Sequence, residues 1–73
     1  MSKFQIYRAD MDKIVCKEIE AETADAAISK YGSALMAAGM IAMRDSAIKF
    51  VSGTEATIST VAGKQFNVTA RAI

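Results

Sequence analysis

The passage Glu18-Ile19-Glu20-Ala21-Glu22-Thr23-Ala24-Asp25-Ala26-Ala27 decides the fold. Its first half alternates acidic with apolar residues, the two-residue period of a strand with one solvated face. Its second half opens a helix. Thr23 is an N-cap residue, and Asp25 falls in the first turn, where negative charge suits the helix dipole. From there Ala24, Ala27, Ile28, Tyr31, Leu35 and Ala38 recur at helical spacing and form one apolar stripe, with Ser29, Lys30 and Ser33 off it. Gly32 within that helix costs about 1 kcal/mol relative to alanine. Its presence implies a close approach by another backbone, or an earlier helix end.

Two helix ends compete. Gly39 is well placed as the left-handed residue after a C-cap, and a stop there gives about 15 residues, or ~22 Å, matching a sheet of short strands. Continuation to Arg44 gives about 21 residues, or ~31 Å, which overhangs such a sheet. The stop near Gly39 is the favoured reading, and residues 40–44 then enter the sheet as an extended segment.

Toward the N-terminus, Phe4, Ile6 and Arg8 alternate with Gln5, Tyr7 and Ala9, which reads as a strand over residues 3–9. Asp10-Met11-Asp12 is a turn. Residues 13–22 form a second strand with Ile14 and Cys16 on one face and Val15, Ile19 and Ala21 on the other. The switch of faces implies a bulge near Lys17 and Glu18, or a strand covered in part on both faces. Toward the C-terminus, residues 47–52 carry Ile48 and Phe50 on one face and Lys49 and Val51 on the other. Ser52-Gly53-Thr54 turns the chain. Ala56, Ile58 and Thr60 then alternate with Thr57, Ser59 and Val61. Gly63 supplies a positive φ at the next turn. In the last strand Phe66, Val68 and Ala70 oppose Gln65, Asn67, Thr69 and Arg71. The expected fold is therefore α+β: a small antiparallel sheet in the order ββ-α-βββ, with one helix packed on one face. If residues 40–44 pair, the order becomes ββ-α-ββββ. Short loops between consecutive strands predict a meander.

The 73 residues make a single domain, 1–73, of which 52% are hydrophobic and 23% charged. Area scaling gives about 4,400 Å² of exposed surface when folded, with about 60% of the unfolded chain's surface buried. The core is thin. No 7–15-residue apolar stretch near the N-terminus reads as a signal peptide. The longest apolar run, residues 34–43, holds ten residues where a span needs about 20. A cytoplasmic location, no membrane partner and a reduced Cys16 are expected.

Catalytic constellations are sparse. With no histidine and one cysteine, a disulfide framework, a Cys/His zinc site within one chain and a Ser-His dyad are excluded. Cys16 reads as a packed core thiol. Glu18, Glu20 and Glu22 share a face at spacing two and read as a solvated, aggregation-resistant strand edge. Gly63-Lys64 fails as a phosphate loop, because Gln65 follows and the segment is strand–turn–strand. No enzyme, no cofactor and no small-molecule substrate are expected. Nine Lys+Arg against eight Asp+Glu exclude a strongly basic nucleic-acid wrapper and a strongly acidic mimic. Lys49, Lys64, Asn67 and Arg71 nonetheless place polar and basic groups on the outer sheet face, an alternative nucleic-acid-binding set that Tyr7 joins if the first strand is adjacent.

The apolar surplus is the most informative feature. Leu35, Met36, Met40, Ile41 and Met43 crowd one window. Ile28, Tyr31 and Leu35 already face the sheet, so Met36, Met40 and Met43 either fill the end of the core or stay exposed as a partner or self-association surface. Tyr7 is a further candidate contact.

The strand-to-helix passage quoted above, followed by a meander, resembles small phage-encoded proteins that disable host machinery, including some anti-CRISPR proteins and phage inhibitors of host RNA polymerase. The likeness is one of element order over about residues 3–52, and no binding residue carries over. It implies an inhibitor that occludes a larger protein or nucleoprotein complex. The near-neutral charge departs from the acidic DNA-mimic members. The expected function is thus a non-catalytic protein-binding module, with a homodimer as a further possibility.

Overall fold

The computed structural model describes residues 1–73. Strand β1 (Ser2–Arg8) leads through one 3-10 turn (Ala9–Met11) into β2 (Lys13–Ala21). Helix α1 (Ala24–Ala37) follows, then a one-turn helix α2 (Arg44–Ala47) and strands β3 (Ile48–Phe50), β4 (Glu55–Ser59) and β5 (Gln65–Ala72). The five strands form one antiparallel sheet in the order β2-β1-β5-β4-β3, an α+β fold with one main helix on one face. The C-terminal strands make the expected meander. The N-terminal hairpin joins it because β1 pairs with β5, Ile6 opposite Ala70.

Two register shifts in the β1–β2 pairing set which β2 side chains face the helix. Phe4 lies opposite Ile19 and Ile6 opposite Cys16, so Lys17 and Glu18 together span a single β1 residue, the bulge the sequence implies. A second shift at Val15 places Ile14 opposite Tyr7. Ile14 and Cys16 therefore do not share a face: Val15, Cys16 and Ile19 pack against the core, while Ile14 is exposed.

Helix α1 begins and ends as its residues dictate. The Thr23 hydroxyl accepts from the Ala26 N–H at 3.3 Å. At the other end Gly39 takes φ +78°, its N–H donates to the Met36 carbonyl, and the Met40 N–H donates to that of Leu35, each at 3.0 Å. This paired closure is the Schellman arrangement, and it stops the helix where a glycine makes the left-handed turn free of a Cβ clash.

The segment after Gly39 differs from expectation. Residues 40–44 do not enter the sheet, and Ala47 is the last residue of α2, so β3 shrinks to three residues. The physical reason lies at Gly32. A Cβ there would sit 2.3 Å from Ile48 Cδ1 and 3.1 Å from Arg44 Cγ. The bare glycine admits two side chains, not another backbone, and so lets α2 lie against α1. Arg44 Nη1 then donates to Ser33 Oγ at 2.8 Å.

The core comprises Phe4, Ile6, Ala27, Ile28, Leu35, Ile48, Ile58, Phe66 and Val68 with smaller neighbours, and Ile41 closes its lower end. Alanines at 27, 56 and 70 are buried and bring helix and sheet close. Phe50, on the face of Ile48, projects beyond this cover and is 46% exposed. The exposed area of 4460 Å² agrees with the scaling for a chain of this size.

Gly32→Ala tests the α1–α2 packing. Helix propensity alone favours alanine by about 1 kcal/mol, but overpacking costs about 1–3 kcal/mol, so the variant is expected to lower the denaturation midpoint. Ile48→Val removes the clashing Cδ1 and alone costs about 0.5–1.5 kcal/mol. The double variant is expected to be more stable than the sum of the single effects, read by urea denaturation.

Candidate functional site

The closure of α1 determines what its end displays. Ile41 is buried at 2% exposure and takes the one core position available after the Schellman turn. Its neighbours in the connecting segment turn away: Met40 is 41% and Met43 64% exposed, and Met36 on the last turn of α1 is 42% exposed. Met36 lies one helical turn beyond Gly32. The three methionines of the sequence analysis are thus all partly open to solvent around one end of the helix.

A cleft adjoins this surface. It has a volume of about 380 Å³ and lies between the end of α1 and the β4–β5 turn, with Met40, Val61, Ala62, Phe66, Arg8 and Lys64 among its walls. Arg8 is the last inward residue of β1, and its guanidinium lies 3.8 Å above the centre of the Phe66 ring, a cation–π contact. Its Nε and Nη2 donate to the two Asp10 oxygens at 2.7 and 3.0 Å. That pair holds the Asp10 carboxyl below the usual carboxylate range, with the Arg8 hydrogen bond as the chief cause, and raises the already high Arg8 value. Tyr31 is raised mainly by burial.

The sheet face opposite the helix carries a different chemistry. Lys49, Thr57 and Asn67 lie in one cross-strand row, with the Thr57 hydroxyl donating to Asn67 Oδ1 at 2.8 Å. Because β1 adjoins β5, Tyr7 does enter this face, opposite Thr69, and Arg71 sits 4.0 Å over its ring. The Tyr7 hydroxyl donates to Asp12, the main reason its pKa rises above the ordinary tyrosine value. Lys3 pairs with Glu18 at 3.5 Å on the same side.

The structure therefore divides the sequence candidates. Met36, Met40 and Met43 share one end of the helix layer. Tyr7 does not join them, since it faces outward between Ile6 and Arg8, which face the helix. Lys49, Asn67 and Arg71 share the outer face with Tyr7. Lys64 stands apart at the β4–β5 turn, where it lines the helix-side cleft with Phe66. Arg8 and Val61 were not among the candidates. An arginine in the inward register of Phe4 and Ile6 was the available signal: a charge there marks the place where the core runs out. The charged-edge reading of β2 agrees with its position at the border of the sheet, where Glu18 and Glu20 are exposed.

No helix is long and apolar enough to cross a membrane. No protein-family model matches the chain, and no curated protein or solved structure matches it.

The Arg8–Asp10 pair has a pH signature. The folded-state pKa of Asp10 is depressed, so its contribution is complete above the unfolded carboxyl value near pH ~4 and is lost as pH falls through the lower folded value. The stability difference between wild type and Asp10→Asn is expected to be larger at neutral pH than in acid. Denaturation midpoints across that range measure it.

Proposed function

We propose that the chain is a non-catalytic protein-binding module. The observation that carries this reading is the partial exposure of Met36, Met40 and Met43 around one helix end whose backbone is fixed. Methionine is flexible and polarisable, and it suits contact surfaces that adapt to a partner. Burial of these side chains against a second protein removes apolar area from water at about 25 cal/mol per Å². The absence of histidine from the sequence and its near-neutral charge agree with a role in occupying a surface. On the element-order likeness given above, the mode of action is occlusion of a larger protein or nucleoprotein complex, as in small phage-type inhibitors.

The outer sheet face supports a second reading. The Tyr7–Arg71 contact at 4.0 Å, beside Lys49 and Asn67, provides a stacking group and cations for a single-stranded nucleic acid. It ranks second because Tyr7 is the lone aromatic of that face, Arg71 already covers its ring, and Glu55 lies in the row of Tyr7 and Thr69.

Affinity capture from a cell lysate with wild type and with Met36→Gln/Met40→Gln/Met43→Gln separates the two. A protein partner recovered by wild type and lost by the triple variant, at unchanged thermal midpoint, is expected. Recovery of single-stranded DNA or RNA without a protein, lost in Arg71→Glu, overturns the first reading in favour of the second. Sedimentation velocity over a range of concentrations reports whether the partner is a second copy of the chain.

A further inference from the structure

The cleft beside Met40 combines three properties that together define what fits it. Its walls are mainly apolar, with Met40, Val61, Ala62 and Phe66 contributing side chains. Its charged walls are of one sign: Arg8 and Lys64 line it, and no carboxylate does. Asp10, the acid nearest in chemistry, has both oxygens engaged by Arg8, whereas Lys64 makes no salt bridge. Its rim is also built in advance. The Val61 N–H donates to the Met40 carbonyl at 3.0 Å, tying the hairpin turn to the helix end. Within the turn the Thr60 N–H reaches the Lys64 carbonyl at 2.8 Å and the Lys64 N–H reaches Thr60 Oγ1 at 3.2 Å. Gly63, at φ +83°, makes that turn geometry accessible. A preformed rim spares the partner part of the ordering cost of binding.

We propose that this cleft is the anchor pocket of the protein-binding surface, and that it takes one bulky apolar side chain of the partner with a carboxylate next to it in sequence. The inference rests on the protein-binding reading and names the chemistry of that partner. The apolar side chain sits between Met40 and Val61, beside the Arg8-covered ring of Phe66, and the carboxylate meets Lys64. At about 380 Å³ the cleft lies toward the small end of ligand pockets, about 300–1,000 Å³, the scale of a side chain and its immediate neighbours. A central pocket that swallows one aromatic or aliphatic anchor, ringed by weaker contacts, is how binding energy concentrates at protein interfaces. Gly39, Thr60 and Ala62 supply that surrounding ring. Charge complementarity argues against a basic anchor, which would face Arg8 and Lys64 with nothing of opposite sign free to receive it.

The probe is the capped tripeptide acetyl-Glu-Phe-Glu-amide, titrated into isotope-labelled protein by NMR. Its expected effect is shifts confined to the amides of Met40, Val61 and Lys64 and their neighbours. Acetyl-Lys-Phe-Lys-amide and acetyl-Glu-Ala-Glu-amide are each expected to bind about tenfold more weakly or not at all. Lys64→Glu, a change at an exposed side chain, is expected to weaken the acidic probe by a similar factor while leaving the spectrum of the fold intact. Equal shifts from the acidic and basic probes, or shifts located on the outer sheet face, overturn the inference. So does indifference of the acidic probe to Lys64→Glu. The lysate capture above decides the protein-binding reading independently: a partner that depends on the methionines, with no response to the tripeptide, removes the anchor chemistry and leaves the module.

Discussion

The pairing of β1 with β5 is the contact on which the rest depends. These strands come from opposite ends of the chain, and their register, Phe4 opposite Ala72 through Arg8 opposite Val68, joins the N-terminal hairpin to the C-terminal meander. Without it the molecule is a two-stranded hairpin and a three-stranded sheet, neither broad enough to bury one face of a fourteen-residue helix. With it, Ile6 and Val68 reach zero exposure and Ile28 has a continuous floor. The cost is a long loop closed before the contact rewards it. The same pairing creates both candidate surfaces, because it places Tyr7 beside Arg71 on one face and Arg8 beside Phe66 on the other.

The apolar surplus around the helix end is a consequence of geometry upstream. Gly32 admits Ile48 and Arg44, which brings α2 against α1 and consumes the chain that would otherwise have lengthened β3. The connection from Gly39 to Arg44 must then cross the lower end of the core, where there is room for one side chain. Ile41 occupies it. Met40 and Met43, on either side of it in the segment, are left outside. Their exposure follows from the path of the backbone, and so does the exposure of Phe50 at the far end of the shortened strand.

Where the sequence was legible, a local rule acted alone. Thr23 capping α1, Gly39 closing it, Gly63 in the last turn and the alternation of Phe66, Val68 and Ala70 each depend on residues within a turn or two of one another. The bulge at Lys17 and Glu18 was readable as one of two ways to account for the switch of faces, and the pairing register shows that it is the one used. What escaped was set by contacts distant in sequence. The one-turn helix α2 has no cap side chain to announce it, and its stability comes from Arg44 and Ile48 lodging against Gly32. The second shift at Val15 is visible only in the partner strand's register. Of the candidate site, the exposed methionines could be named from crowding alone. The split of Lys64 from Lys49, Asn67 and Arg71 could not, since it depends on where the β4–β5 turn sits relative to the end of α1.

A domain this small has little freedom in where it puts apolar side chains, so the places where it does spend polar ones are informative. At the free edge of β2 the chain carries Lys17, Glu18 and Glu20 together with two register shifts, a combination that discourages another strand from adding there. On the outer sheet face it uses Gln65, Asn67, Thr57 and Ser59, bonded to one another in pairs. Around the helix end it does neither. Positions 36, 40 and 43 keep apolar side chains although they are 42%, 41% and 64% exposed. The fold thus covers one open edge and one open face with polar side chains, and leaves methionine beside the cleft as it leaves Phe50 and Val51 bare at the end of β3.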